Sequence, residues 1–261
     1  MNSQDLQLES VFLEDIVFLL SITILYYDHF LTLDKEIQFI WKRPRNSSSY
    51  LFFINRYFAF FGNIAGCISL FIPSLSSSSC QSFELYDRLF RSITQGIVTA
   101  LLSLRVYALY ECRRSLLIIF MSIAVLGTGA SIIVAVLNPE ASTQLDQGCH
   151  TLPGSQNATK TAIGWEGLFV FDLFIFGMIM RKAYQMRGFE EDVQTIRRKS
   201  LRSVIVRDGS VYFIMMALAN LGNIVTFYAS GSFQKGSLTT FAGCLSVTLM
   251  SRLMLNLHEA A

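Results

Sequence analysis

The sequence predicts an all-α membrane protein built as a bundle of seven transmembrane helices. Seven mostly apolar runs of roughly 17 to 23 residues each match a hydrocarbon core of about 30 Å at about 1.5 Å of helix rise per residue. The composition agrees, because 52% of the residues are hydrophobic and only 15% are charged, whereas about a quarter are charged in a typical soluble domain. Basic residues also concentrate in alternate loops. We therefore expect one integral membrane domain over residues 1–261 and no separate soluble domain.

The seven spans follow the apolar runs in order, and the third and fifth include more polar residues than the others. Because the first residues lack a basic region, no cleavable signal peptide is expected, and the first span is predicted to serve as the insertion signal. The predicted spans are Val11 to Tyr27, Tyr50 to Ile72, Phe90 to Tyr110, Ser115 to Leu137, Ala162 to Met180, Gly209 to Tyr228 and Gly236 to Leu255.

The distribution of positive charge predicts which way the spans face. Lys and Arg resist translocation, so the loops that are rich in them stay in the cytoplasm. These are the first loop, around Lys42 and Arg43, the third, around Arg113 and Arg114, and the fifth, which is the most basic. The sequence therefore predicts an N-terminus outside and a C-terminus in the cytoplasm.

Two features of the predicted outside loops agree with this orientation. Cys80 and Cys149 are the cysteines expected outside, where thiols oxidise, and we predict a disulfide between them, with two free thiols as the alternative. Asn157 begins a glycosylation sequon in the same outside loop, whereas the sequon at Asn46 falls in the cytoplasm and should stay bare. A glycan on Asn46 would overturn the orientation.

Residues 27–44, YDHFLTLDKEIQFIWKRP, resemble the N-terminal signature of a large family of multi-pass membrane proteins of unknown function from mushroom-forming fungi. Further matches are the segments Leu104 to Tyr110 and Ser251 to Leu257. The resemblance implies a receptor-like seven-helix plan, but it implies no ligand or activity.

The signature segment also predicts an amphipathic helix in the headgroup plane. Thr32 is expected to cap it, Pro44 to end it, and Trp41 to anchor it in the interface. The residues expected on its apolar face are Leu33, Ile37, Ile40 and Trp41. This surface either engages a cytoplasmic partner or only joins and anchors two spans.

Asp172 is the most informative single residue, because it lies near the middle of the fifth span. An ionised carboxylate there costs about 2.5–3.5 kcal/mol on insertion scales, so we expect it to face the bundle interior and to find a partner or hold a proton. It predicts a ligand site or a proton or ion path, or alternatively a packing hydrogen bond to a neighbouring helix. Glu166 lies less than two turns away but on a different face.

Four other polar residues are predicted to line the same interior: Asn63, Gln95, Asn220 and Asn223. Interhelical hydrogen bonds of about 0.6–2 kcal/mol explain them without a ligand, so packing is the first interpretation. Gly62 and Gly66 have the spacing that permits close helix approach.

Arg105, Tyr107 and Arg252 are predicted at the cytoplasmic ends of the third and seventh spans, where they could contact an effector. The layout resembles that of G-protein-coupled receptors, but Leu104 replaces the acid that precedes the basic residue there, and no proline lies within a span. In the fifth loop, Ser200 follows three basic residues, which indicates either a phosphorylation switch or simply a topological signal.

The distribution of reactive residues argues against an enzyme, a retinal protein and a metal site. His29, His150 and His258 fall on opposite sides of the membrane, and no lysine lies inside the last span. We expect no cofactor and no nucleic acid partner. The leading interpretation is a receptor-like protein of the plasma membrane, or of an endomembrane, with a small-molecule or peptide ligand outside and a cytoplasmic effector. The alternatives are a secondary transporter or proton-coupled carrier that uses Asp172, and a structural or scaffolding protein.

Overall fold

Long helices make up almost all of the chain that the computed structural model describes, namely residues 3–42, 47–71, 77–110, 113–138, 141–144, 149–152, 155–187, 196–229 and 235–260. A short helix, α2, and a π-helical turn follow the first long helix. The helices are α1 (Ser3–Leu31), α2 (Leu33–Glu36), the π turn (Ile37–Trp41), α3 (Ser47–Phe71), α4 (Ser77–Leu109), α5 (Arg114–Leu137), α6 (Ser155–Arg187), α7 (Ile196–Ala229) and α8 (Thr239–Ala260).

Six of these helices are long and apolar enough to cross a membrane, and a bent seventh unit raises the number to seven among the described residues. The bent unit consists of Val11–Leu31 and Leu33–Trp41, which meet at 49°. The chain is therefore a multi-pass integral membrane protein, as the sequence predicts. The long helices coincide with the predicted spans in order.

The boundaries differ from the predicted ones where polar residues continue a helix beyond the apolar run. Helix α4 begins at Ser77 instead of Phe90, and α7 begins at Ile196 instead of Gly209. The last span begins later than predicted, because Gly236 has a φ of +79° and belongs to the turn before α8. A side chain at this position would be strained, since this backbone conformation favours glycine.

Helices that follow one another in the sequence pack together, and α8 returns to pack against α1. Helices α4 and α8 lie at the centre, because α4 contacts α3, α5, α6 and α8, while α8 also contacts α1, α3 and α7. In agreement with this arrangement, 61% of the membrane-spanning part of α8 is buried inside the protein. For α5 the corresponding share is 11%. Most of α5 therefore faces lipid.

A small antiparallel hairpin connects α5 to α6. Its strands are β1 (Ala141–Gln144) and β2 (Cys149–Leu152), with Gln144 opposite Cys149, and β1 packs against α4. We call this end of the bundle the hairpin end. The opposite end, where α1 ends and α2 lies, is called the signature end.

Gly62 and Gly66 of α3 permit close packing, as their spacing predicts. A Cβ atom added to Gly62 would lie 2.0 Å from Cε2 of Phe90 in α4, and one added to Gly66 would lie 2.7 Å from Cζ of Phe18 in α1. The Tyr86 hydroxyl also donates a hydrogen bond to the Gly62 carbonyl at 3.0 Å. The two glycines thus seat aromatic rings of neighbouring helices.

Candidate functional site

A buried carboxylate organises the signature end. Glu36, at the end of α2, is completely buried, and its Oε1 accepts hydrogen bonds from the Tyr57 hydroxyl and from Nε1 of Trp41, both at 2.9 Å. Nε of Arg56 in α3 lies 2.8 Å from Oε2 of Glu36, and the two side chains are 3% and 0% exposed. Because a buried charge is costly unless it is paired, this ion pair and the two hydrogen bonds act as a unit.

Arg56 also ties α3 to the end of α1. Its Nη2 donates to the His29 carbonyl at 2.7 Å and to the Thr32 hydroxyl at 2.8 Å. The Thr32 hydroxyl in turn donates to the Asp28 carbonyl at 2.7 Å and makes no capping hydrogen bond to α2. The prediction that Thr32 caps the following helix is therefore wrong, because the hydroxyl is already engaged by α1 and Arg56.

A second set of polar contacts joins this segment to α8. Arg252 forms an ion pair with the buried Asp28 of α1. On the surface, Nζ of Lys35 lies 2.7 Å from Oε2 of Glu259. The signature segment is thus held by α3 on one side and by α8 on the other.

The predicted amphipathic helix is correct in position but not in form. The chain forms one short α-helical segment and then widens into the π turn, so the four apolar residues do not share one face. Ile40 is buried at 1%, whereas Ile37 and Trp41 are 40% and 57% exposed. The π turn brings Trp41, five residues after Glu36, back over the carboxylate, in keeping with the i to i+5 repeat of such turns. Pro44 lies outside the described residues.

The four residues predicted to contact a cytoplasmic partner separate into two groups. Arg252 and Trp41 belong to the network around Asp28 and Glu36, as given above. Arg105 and Tyr107, near the end of α4, are partly exposed, and the described part of the chain provides no hydrogen bond or ion pair for either side chain. Among the described residues, Arg105 and Tyr107 are thus the two of these four without a polar partner.

A cavity of about 790 Å³ occupies the half of the bundle nearest the hairpin end. Its walls come from all seven long helices and from the turn before α8. The apolar part includes Phe18, Phe83, Ile123, Trp165 and Phe171. The volume falls within the range of about 300–1,000 Å³ that ligand pockets occupy.

Charged side chains of both signs line this cavity in equal number. They are Glu14, Asp15, Glu84, Asp87, Arg88, Arg91, Lys160 and Lys235. Arg91 pairs with Asp87 at 2.5 Å, and Nζ of Lys160 donates to Oδ1 of Asn138 at 2.6 Å. Deeper in the cavity, Nε2 of Gln95 is buried and has no hydrogen-bond partner among the described residues. Among the described residues, the lining therefore provides an N–H donor without a partner deep in the cavity. Nearer the hairpin end it provides equal numbers of acidic and basic side chains.

The predicted interior residues do not converge on one site. Asp172 is buried and its Oδ2 accepts a hydrogen bond from Nδ2 of Asn220 at 3.1 Å, so the prediction that it faces the interior with a partner is confirmed. Oδ1 of Asn223 accepts a hydrogen bond from the Thr239 hydroxyl at 3.1 Å, and Asn63 donates to a carbonyl of its own helix. Of the predicted set, Gln95 lines the cavity, whereas the carboxylate of Asp172 does not reach it.

Glu166 contacts helix α7, as Asp172 does, but through a different residue. Its Oε1 accepts a hydrogen bond from the hydroxyl of Tyr228 in α7 at 2.5 Å. Glu166 and Asp172 therefore do not form a carboxylate pair.

The cysteines and the modification sites can be placed in part. Cys80 is completely buried and disulfide-bonded, whereas Cys67 and Cys244 are free thiols. The side chains of Cys149, Asn157 and Ser200 lie outside the described residues, so their predicted roles stay predictions. Asn46 and Cys112 lie outside them entirely.

Within the described residues, no group of three or more His, Cys, Asp and Glu side chains is arranged to hold a metal ion. His29 is buried at the signature end, where its ring lies 4.5 Å from that of Phe60. His258 contacts the Met254 carbonyl of its own helix. The two rings are thus engaged in packing and local contacts.

The sequence interpretation missed the Glu36 and Arg56 pair and the cavity. Both members of the pair were visible as charges next to or inside apolar runs, and positions 36 and 56 are close in sequence for two charges of opposite sign. A cavity has no such signal, because it depends on how far apart the helices stand.

Comparison with family models places the signature end in a wider context. Residues 17–61 match the model of a family described as "Family of unknown function (DUF6533)". The match contains Asp28, Glu36 and Arg56 but not Arg252, and it ends before α4, so it covers most of the network but little of the cavity. No curated protein matches the chain. The chain is therefore an integral membrane protein that is similar, over this segment, to a family without an assigned function.

Proposed function

We propose that the chain is a receptor-like, non-enzymatic seven-helix membrane protein that binds a ligand in the hairpin-end cavity and responds at the signature end. The observation that carries this proposal is the cavity itself, because its volume and its mixed apolar and charged lining are typical of ligand sites. The cavity lies in one half of the bundle. The other half is filled by the main apolar core and the Glu36 network.

Two helices that line the cavity also carry the network at the other end. Helix α1 provides Phe18 to the cavity and Asp28 to the ion pair, and α8 provides Thr240 to the cavity and Arg252 to the same pair. A ligand that moves α1 relative to α8 would therefore strain or relax the contact between Asp28 and Arg252. Coupling between distant sites needs an element whose two arrangements both sites can favour or disfavour, and the contact between Asp28 and Arg252 is the one proposed here.

The cysteines support a hairpin end that faces an oxidising compartment. Cys80 is disulfide-bonded and lies near the start of α4, and two of the other four cysteines are free. The partner that we propose for it is Cys149, because strand β2 belongs to the hairpin that packs against α4. The proposed location is the plasma membrane, with this end outside.

The two tryptophans of the sequence provide the test, because Trp165 lines the cavity and Trp41 belongs to the network. Compounds that raise the unfolding temperature of the purified protein would be added to a Trp165→Phe variant, whose emission reports on Trp41, and to a Trp41→Phe variant, whose emission reports on Trp165. A receptor should change both emissions at the same compound concentration. A change at Trp165 without any change at Trp41 would contradict coupling, and stabilising compounds that change neither emission would contradict the site.

A transporter is the second candidate, and the buried Asp172 favours it. Asn220 of α7 donates a hydrogen bond to the Asp172 carboxylate of α6. Asp172 directly follows Phe171, which lines the cavity. Transport predicts substrate-dependent proton or ion flux in proteoliposomes that is lost on Asp172→Asn. A scaffolding protein, the third alternative, would show neither flux nor a ligand response.

A further inference from the structure

We propose that the cavity takes its ligand from the bilayer, through an opening between α5 and α6, and that this ligand is a single-chain amphiphile whose head group has no net charge. The inference rests on the proposed function, because it names the class of ligand for the same cavity. Both helices are candidate membrane spans, over Arg114–Leu137 and Ala158–Lys182.

Residues that line the cavity on these two helices leave much of their surface uncovered by protein. Leu126 and Ile163 are 72% and 59% exposed, and Ile123 is 45% exposed, although all three belong to the cavity wall. Leu126 lies in the middle of α5, so this exposed part of the wall is at the depth of the hydrocarbon core. At that depth the cavity meets lipid chains rather than water.

The opening has a defined floor and a defined top. At the floor, the ring of Phe120 in α5 lies 6.0 Å from that of Phe171 and 6.2 Å from that of Phe174, both in α6. At the top, the long side chain of Lys160 reaches across to Asn138 at the end of α5. Between these two contacts, the helices are separated enough for cavity residues of both to be exposed.

Glycines keep this opening wide. Gly127 of α5 and Gly164 and Gly167 of α6 line the cavity, and a Cβ atom added to any of them would meet no other atom within 4 Å. By contrast, a Cβ on Gly96 of α4 would lie 2.5 Å from Oγ1 of Thr128, so that glycine serves helix packing. Side chains added at the opening would therefore occupy empty space instead of displacing neighbours.

The cavity wall opposite the opening determines the class of ligand. It carries the charged residues of α1 and α4 and the Nε2 donor of Gln95, whereas the opening is mostly apolar below Lys160. A molecule that fits both regions has a hydrocarbon chain towards α5 and α6 and a polar head with oxygen acceptors towards α4. The wall of α1 and α4 has four acidic and two basic side chains, and Lys160 and Lys235 bring the whole cavity to four of each sign, so a head group of no net charge is matched best.

The test uses photocrosslinking in lipid nanodiscs. The probe is a lysophosphatidylcholine that carries a diazirine and an alkyne in its chain, and the labelled residues are mapped by mass spectrometry. We expect labelling of α5 and α6 residues inside the cavity. The Gly164→Leu/Gly167→Leu variant should lose this labelling about tenfold, which corresponds to about 1.4 kcal/mol of binding free energy.

Gly177→Leu is the matched control, because Gly177 lies on the same helix, has the same empty surroundings and does not line the cavity. It should keep the labelling of the unmodified protein. Labelling confined to the outer surface of the bundle, or cavity labelling that the double variant keeps, would overturn the inference.

Failure of this inference can be told apart from failure of the proposed function. If the filled opening leaves cavity labelling unchanged while the Trp165 and Trp41 emissions still respond to compounds, the ligand enters from water and the receptor function stands. If neither tryptophan responds and the probe labels the outer surface alone, the cavity is not a ligand site and both proposals fall.

Discussion

Glu36 shows how a single carboxylate can join three chain segments. Two hydrogen bonds and one ion pair reach it, from the π turn through Trp41 and from α3 through Tyr57 and Arg56. Each of these groups is satisfied only when the segment after α1 folds back against α3. The matched family segment, residues 17–61, contains all four residues.

Replacing Arg56 by Met should destabilise the protein strongly. The variant leaves Glu36 as a buried carboxylate without its cation, and breaking a buried pair on one side costs about 3–5 kcal/mol. The free energy of unfolding in detergent measures the change. Arg113→Met, at an exposed position outside the network, is the control and should change stability little.

The double variant Glu36→Gln/Arg56→Met separates charge from packing. Because the amide carries no charge, we expect it to recover a large part of the loss, and the Glu36→Gln single variant completes the cycle that gives the coupling energy of the pair. Equal losses in the single and double variants would show that the carboxylate charge is not what Arg56 compensates.

The packing of helix α3 against α4 depends on a glycine, which leaves room for a side chain of the neighbouring helix. Helix α3 lies close to α4 because Phe90 packs on Gly62, and the Phe90 ring is held there by Tyr86, stacked at an interplanar angle of 7°, and by Phe58, whose ring centroid is 5.2 Å away. The ring thus has little freedom to move aside.

Gly62→Ala should therefore destabilise the protein, although alanine favours helix formation. The added Cβ would lie 2.0 Å from the Phe90 ring, and overpacking of this kind costs about 1–3 kcal/mol. Gly129→Ala in α5 is the control, because nothing lies within 4 Å of its added Cβ. Thermal unfolding of both variants decides the point: a Gly62→Ala protein as stable as the control would mean that α3 and α4 can separate at no cost.

Some structural elements could be predicted from the sequence and others could not. The spans follow from apolar runs, a local property of the sequence, and the pairing of Asp172 follows from the cost of an unpaired carboxylate in a membrane. The π turn was missed because the spacing of Leu33, Ile37 and Ile40 fits a regular helix, and what widens the turn is the distant contact between Glu36 and α3. The cavity was missed because helix separation depends on all the contacts together.

The whole molecule has two unlike ends: one filled by a network of charges and the other hollow. Which end faces the outside is a prediction of the basic loops, and the glycosylation sequons test it. Asn157→Gln should remove a glycan and lower the apparent mass, whereas Asn46→Gln should leave the mass unchanged, because the first loop is expected in the cytoplasm.

Epitope tags at the two ends provide an independent measurement of the same prediction. In intact cells, antibodies should reach an N-terminal tag, and a C-terminal tag should become visible after permeabilisation. Two tags on the same side would contradict an odd number of crossings, and reversed accessibility would place the cavity on the cytoplasmic face.

A gap that faces lipid changes what counts as a dose. An amphiphile with a long chain partitions strongly into membranes, gaining about 0.8 kcal/mol for each buried CH₂ group. Its mole fraction among the surrounding lipids, rather than its molarity in the medium, would then set the occupancy of the protein. Two cells given the same solution could respond differently because their membranes dilute the compound to different extents.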